Sequence, residues 1–180
     1  MTPKIHRICR TIRRLPDAEY ECGRSDYMAE ILEKLGLDVI GSGMFGVVID
    51  CGDFVFKVFT ADDEAYLDFL DFCENVDSKH LPVILWDQQI NAHWWGVCLE
   101  KLTTLEEDID EVPTSLTKHP MFQHACKRIR DGKRNTGSKE LNALLDLLAE
   151  TCYREEHFID LHNGNAMLRD RTLVITDPWC

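Results

Sequence analysis

Phe158-Ile159-Asp160-Leu161-His162-Asn163-Gly164-Asn165, followed by Leu173-Val174-Ile175-Thr176-Asp177, decides how this 180-residue chain is read. Asp160 and Asn165 are spaced D-x-x-x-x-N in a polar loop over 158–165. Asp177 lies 12 residues past Asn165, at the end of a strand-like run. Between them, 166–168 and 173–176 read as short strands joined by a turn at Arg169-Asp170-Arg171. By composition alone, an Asp-, Asn- and Gly-rich stretch is an ordinary polar turn. The same side chains are also the oxygen donors that phosphoryl transfer needs. One carboxylate orients an attacking hydroxyl and takes its proton, while an amide oxygen and a second carboxylate hold Mg²⁺ against the phosphates.

Two upstream segments point the same way. Gly41-Ser42-Gly43-Met44-Phe45-Gly46-Val47-Val48 is a G-x-G-x-x-G pattern followed by a second strand, which argues against a dinucleotide-binding βαβ unit. A glycine-rich turn between strands is either a plain hairpin or a cover for phosphate, because missing Cβ atoms let backbone N–H groups approach phosphate oxygens. Phe54-Val55-Phe56-Lys57-Val58-Phe59 puts a lysine in an apolar strand, 16 residues after Gly41. Alternation places Lys57 on the face of Val55 and Phe59. Such an ammonium either snorkels to water or meets an anion.

The net charge of −12 is uneven: the first fourteen residues contribute +5, leaving −17 on the other 166. An acidic surface disfavours nucleic acid and anionic membranes as partners. No apolar run is long enough to span a bilayer, and a cytoplasmic protein is expected. The eight cysteines at 9, 22, 51, 73, 98, 126, 152 and 180 form no C-x-x-C pair, which favours reduced, mostly buried thiols. His119, His124 and Cys126 cluster but lack the second matched pair that zinc requires.

Ile5, Ile8, Cys9, Ile12 and Leu15 recur at helical spacing, predicting a docked amphipathic helix that ends near Leu15-Pro16. A second helix, capped by Ser25 or Asp26, stops at Gly36. Strands are expected at 37–41, 46–51, 54–59, 83–87 and 94–99, with turns at Gly43, Gly52-Asp53 and Asn91-Ala92. Tyr66, Phe69, Leu70, Cys73 and Val76 mark a helix that interrupts them. The first half therefore reads as a five-stranded, largely antiparallel sheet with one helix packed on it. An acidic connector follows with Glu106, Glu107, Asp108, Asp110 and Glu111. Helices are then expected around 120–130 and 139–153, the latter with Leu141, Leu144, Leu145, Leu148 and Cys152 on one face, and a Gly- and Lys-rich loop at 131–138 between them.

From about Leu37 onward the chain resembles the protein-kinase-like superfamily, in particular the small, divergent Ser/Thr kinases that some lytic phages make early in infection. Asp160-Leu-His-Asn-Gly-Asn165 is also similar to the catalytic loop of aminoglycoside and choline phosphotransferases, and Ile-Thr-Asp177-Pro178 to the phage kinases. The resemblance implies an α+β fold with three parts: an N-terminal helical segment (1–36), a kinase-like N-lobe (37–102) and a minimal, mainly helical C-lobe (103–180). It implies ATP and Mg²⁺ as ligands. Gly41, Gly43, Gly46 and Val48 would lie over the nucleotide, with Lys57 on the α- and β-phosphates. Glu100 and Leu102, at the end of the Val97–Leu102 hinge, would face adenine. Asp160 would be the catalytic base, and Asn165 and Asp177 the metal ligands.

The chain departs from that pattern in three places. The acid that pairs with Lys57 is open among Asp62, Asp63 and Glu74, with Glu74 favoured for its reach and Glu64 pointing away. Phe158 and Ile159 replace the usual His-Arg, so control by a phosphorylated activation loop is not expected. Only Pro178, Trp179 and Cys180 follow the metal aspartate, so the usual peptide-docking platform is not expected. Three functions are therefore weighed. The first is a phage-type Ser/Thr kinase acting on a host protein. The second is a kinase-like module that sequesters a host protein, motivated by the acidity and by a free Trp179-Cys180. The third is a small-molecule kinase.

Overall fold

A computed structural model describes residues 2–15, 24–105, 120–132 and 135–180. Cys22, His119, Pro16 and the acidic connector at 106–111 lie outside the described residues. The protein is α+β and divides into two compact units, one of residues 1–64 and 83–101 and the other of residues 65–82 and 102–180. No helix among the described residues is long and apolar enough to cross a membrane.

The first unit is built on a five-stranded sheet of β1 (Val39–Ser42), β2 (Gly46–Asp50), β3 (Phe54–Thr60), β4 (Ile84–Gln89) and β5 (Trp94–Glu100). Its order is β1-β2-β3-β5-β4, with every neighbouring pair antiparallel. Hairpins explain most of this order, since short turns join β1 to β2 and β2 to β3. Two helices cover one face, α1 (Pro3–Ile12) and α2 (Arg24–Lys34). The helical spacing of the N-terminal isoleucines gathers Ile5, Ile8, Cys9 and Ile12 on one side of α1. They pack with Met28 and Leu32 of α2 against Val47, Ile49, Phe56, Val58 and Cys98 of the sheet. The helices α1 and α2 therefore share the core of the sheet.

Local chemistry sets the ends of these helices. Thr2 caps α1 through its hydroxyl, and Pro3 occupies the first turn, where a missing N–H costs nothing. The α-helix stops at Ile12, and Arg13 to Leu15 close it with turn hydrogen bonds to Cys9, Thr11 and Ile12 carbonyls. Arg13 turns back, its Nε donating to the Ile90 carbonyl at 2.9 Å. Gly36 ends α2 at φ 74°, a conformation that suits glycine, and the Leu37 N–H reaches back to the Leu32 carbonyl at 3.1 Å. At the other end, neither Ser25 nor Asp26 caps α2, because the helix already begins at Arg24. Ser25 is buried in the first turn and gives its hydroxyl to the Met44 carbonyl at 3.3 Å. A long-range hydrogen bond has claimed the side chain that sequence assigned to the cap.

The second unit holds α3 (Glu64–Asn75, from Ala65 on), α4 (Pro120–Asp131), α5 (Lys139–Arg154) and a three-stranded sheet. That sheet is β6 (Thr103–Thr104), β7 (Ala166–Arg169) and β8 (Thr172–Ile175), in the order β6-β7-β8. Ser138 caps α5 by accepting the Leu141 N–H at 3.2 Å. Leu141, Leu144, Leu145, Leu148 and Cys152 are buried on one side of α5. Arg128 of α4 ties the two helices together through Asp146 (Nε to Oδ1, 2.8 Å). In α3 the buried stripe is Ala65, Tyr66, Phe69, Leu70 and Phe72. Asp62 and Asp63 precede its first residue, and Glu74 lies in its last turn.

Cysteines follow their burial. Seven free thiols are described, of which Cys180 is exposed and Cys9, Cys98, Cys126 and Cys152 are buried. Burial pushes the Cys98 thiol up to about 12, far from the reactive thiolate range.

Removing buried methylenes from α1 should weaken the whole sheet unit if that helix is part of its core. Ile12→Ala is expected to lower the unfolding free energy by about 2–5 kcal/mol, measured by urea denaturation.

Candidate functional site

The glycine-rich turn and Lys57 come together in the first unit. In the antiparallel register Gly41 faces Val48, Val48 faces Lys57 and Lys57 faces Val97. Directly opposed residues share a face, so these four residues form a row across the sheet, with Val48, Lys57 and Val97 supplying its side chains. It lies on the face opposite to Ile49, Phe56 and Cys98, the one covered by α1 and α2. Lys57 is half-buried and its Nζ sits 5.9 Å from the centre of the Phe59 ring. That confirms the shared face of Lys57 and Phe59, and the ring offers the ammonium a weak cation–π partner.

The three glycines are not equivalent. A Cβ on Gly46 would stand 2.9 Å from the Val58 carbonyl oxygen and 3.0 Å from Phe59 Cβ, and 3.4 Å from Lys57 Cε. Glycine is required there by the close approach of β3 and the lysine stem. A Cβ on Gly43 would meet nothing within 4 Å, and one on Gly41 only Val48 Cβ at 3.9 Å. The turn itself closes by a Gly43 N–H to Gly46 carbonyl hydrogen bond of 2.9 Å, leaving Met44 strongly exposed at its tip.

At the far end of β5, Glu100 is committed to the sheet edge. Its N–H donates to the Val83 carbonyl at 3.1 Å, and its carboxylate accepts the Val83 N–H at 2.7 Å. Next to it, Lys101 bridges to Asp50 at 2.6 Å, and that hydrogen bond holds the Asp50 carboxyl below its ordinary value. Leu102 is half-buried and belongs to the second unit, as does Glu74, which is exposed near the end of α3.

The second unit brings Asp160, Asn165 and the strand leading to Asp177 together. Asn165 Nδ2 donates to the Asp160 main-chain oxygen at 2.7 Å and to its Oδ2 at 3.3 Å. One amide thus fixes both the backbone and the side chain of Asp160. With its NH₂ used this way, Asn165 Oδ1 is left as an acceptor. The Thr176 N–H donates to the Asn165 carbonyl at 2.9 Å, so Asp177 leaves β8 directly beside this pair. The β7–β8 hairpin turns at Asp170 and Arg171, both with positive φ (47° and 72°) as a tight two-residue turn requires. Arg169 holds it by donating to the Lys79 and Leu81 carbonyls at 2.7 and 2.9 Å. His80, buried, donates from Nδ1 to the Leu173 carbonyl at 2.7 Å.

A second ladder clamps the loop from its other side. Phe158 and Cys180 exchange two backbone hydrogen bonds, and the Asp160 N–H reaches the Pro178 carbonyl at 2.8 Å. Trp179, between them, is only 3% exposed. Its ring meets Phe69 and Phe72 edge-on at 5.8 and 5.6 Å, and His157 at 5.9 Å. His157 in turn contacts Asp68 through Nε2 at 2.8 Å. The Trp179-Cys180 pair that sequence took as free is therefore corrected for its first member, which is a buried anchor. No local pattern announces this role, because every partner of Trp179 is distant in sequence.

Among the described residues no group of three or more His, Cys, Asp or Glu gathers as a metal site. Asn165 Oδ1 and the Asp177 carboxylate are nonetheless hard oxygen donors, suited to Mg²⁺, which keeps several waters and takes phosphate oxygens as its other ligands.

No protein-family model matches the sequence, and no curated protein matches it. Among solved structures, the crystal structure of Rad53 1-466 in complex with AMP-PNP is similar at a TM-score of 0.45 and 12% identity. The match covers 84% of this chain and 42% of that one, so this chain spans less than half of the chain it matches.

The glycines make a direct test. Gly46→Ala is expected to cost about 1–3 kcal/mol in urea denaturation, because β3 must move to admit the methyl group. Gly43→Ala should stay within about 0.5 kcal/mol of the parent.

Proposed function

We propose that this protein is an ATP- and Mg²⁺-dependent phosphotransferase that transfers phosphate to an alcohol group. The observation that carries this reading is the double hold of Asn165 on Asp160, with Asp177 delivered beside it by β8. A polar turn needs no such arrangement. A catalytic carboxylate needs it, because a base must be held within reach of the proton it takes.

In this reading Asp160 Oδ2 is anchored by Asn165, and Oδ1 faces the acceptor hydroxyl. Asp160 takes the hydroxyl proton as the acceptor oxygen bonds to the γ-phosphorus and the bond from that phosphorus to the ADP oxygen breaks. Asn165 Oδ1 and Asp177 would hold Mg²⁺, which when bound neutralises charge on the β- and γ-phosphates. Lys57 would meet the α- and β-phosphates on the face shared with Gly41 and Val48, under the turn of Gly41, Gly43 and Gly46. Backbone groups near Glu100 and Leu102 would face adenine, with Leu102 the better donor because the Glu100 N–H is already bonded. A Ser/Thr protein kinase of phage type, acting on a host protein in the cytoplasm, is the form of this activity that we favour over a small-molecule kinase.

A binding role for a kinase-like scaffold is the second reading. Tyr153 and Phe158 favour it, being 88% and 75% exposed in the second unit. Large aromatic side chains left in water are a common anchor for a protein partner.

Calorimetric ATP titration separates the two. Binding should require Mg²⁺ and weaken at least tenfold in Asp177→Asn, a loss of about 1.4 kcal/mol. With γ-labelled ATP, phosphate transfer to the protein itself or to candidate host proteins should fall to background in Asp160→Ala. No nucleotide binding in the intact chain would leave the scaffold reading standing.

A further inference from the structure

The catalytic loop is built around a side chain that the proposed chemistry has not yet used. His162 Nδ1 accepts the Gly164 N–H at 3.0 Å. An imidazole nitrogen that accepts carries no proton, so in the neutral ring the proton sits on Nε2. Nε2 lies 3.7 Å from Asp160 Oδ2, the same oxygen that Asn165 holds, a separation that a small turn of the exposed ring would close to a hydrogen bond. Gly164 has no positive φ to explain it. The ring lies close over it: a Cβ there would stand 2.9 Å from His162 Cε1 and 3.2 Å from Nδ1, so an alanine would push the imidazole aside. Two residues of the loop thus serve to seat one imidazole against Asp160.

We propose that His162 is a positioning residue: pinned by Gly164, it presents Nε2–H to Asp160 Oδ2 and so, with Asn165, turns Oδ1 toward the acceptor hydroxyl. The proposal rests on the phosphotransferase reading above. Its competitor is plain capping, because His162 also stands at the N-cap of the short 3-10 turn Asn163–Asn165. Serine caps equally well but is too short to reach Asp160. The two roles therefore part at His162→Ser.

The test uses the full chain with Mg²⁺ and ATP alone, reading ADP release and self-phosphorylation. His162→Ser and Gly164→Ala should each lower kcat roughly 10- to 100-fold at an unchanged KM for ATP, as misplacement of a reacting group does. The double variant should be no slower than the worse single one, because both changes remove the same contact. Wild-type kcat in His162→Ser would reduce the residue to a cap and overturn the proposal. Independently of turnover, the ¹⁵N shifts of the His162 ring should show a protonated Nε2 that responds to Asp160→Asn, and a silent Nε2 would overturn the contact. Turnover in the parent no greater than in Asp160→Ala would overturn the phosphotransferase reading itself, while the ring shifts would still decide the contact.

Discussion

The burial of Trp179 is the constraint on which the second unit depends. Its indole packs on Phe69, Phe72 and His157 and fixes the segment 178–180. That segment pairs with 158–160, and the pairing sets the height of Asp160. The β7–β8 hairpin fixes the opposite side through Thr176 and Asn165. Asp160 is therefore held between two short ladders that converge from different parts of the chain. The arrangement has a cost, because the indole Nε1 is buried without a hydrogen-bond partner among the described residues. Aromatic packing on three sides offsets it.

The first unit solves a different problem. A lysine in a strand must keep its ammonium near something polar while its neighbours pack. Register does this by giving Phe56 and Val58 to the covered face and Lys57 to the other. The two N-terminal helices bury the apolar face, which explains why α1 combines a row of isoleucines with so many arginines. Ile5, Ile8 and Ile12 point inward, and Arg7 and Arg10 remain in water.

Much of this was legible in the sequence because it obeys local periodicity. Alternation gave the five strands to within a few residues, and helical spacing gave the buried faces of α1, α3 and α5. Phe72 escaped the predicted stripe of α3 because it serves Trp179, a partner more than a hundred residues away. The failures share that cause. Ser25 looked like a cap until Met44 claimed its hydroxyl, and Trp179 looked free until α3 covered it. β6 is only two residues long and exists through its pairing with β7, so no propensity could announce it. In the candidate site, the residues of Asp160-Leu-His-Asn-Gly-Asn165 were visible as a motif, but the seat that Gly164 makes for His162 was not. Spacing reveals which groups are available, whereas coordinates reveal which atom each one spends.

The unequal glycines of the β1–β2 turn also say what each position answers to. Gly41 and Gly43 have room for a side chain, and only Gly46 is held by its neighbours. The fold by itself therefore constrains only the third, while the first two answer to the phosphates that the proposed function places beneath them. A version of this sheet that bound no nucleotide would need just one glycine in the turn, the one facing the residue two places after the strand lysine.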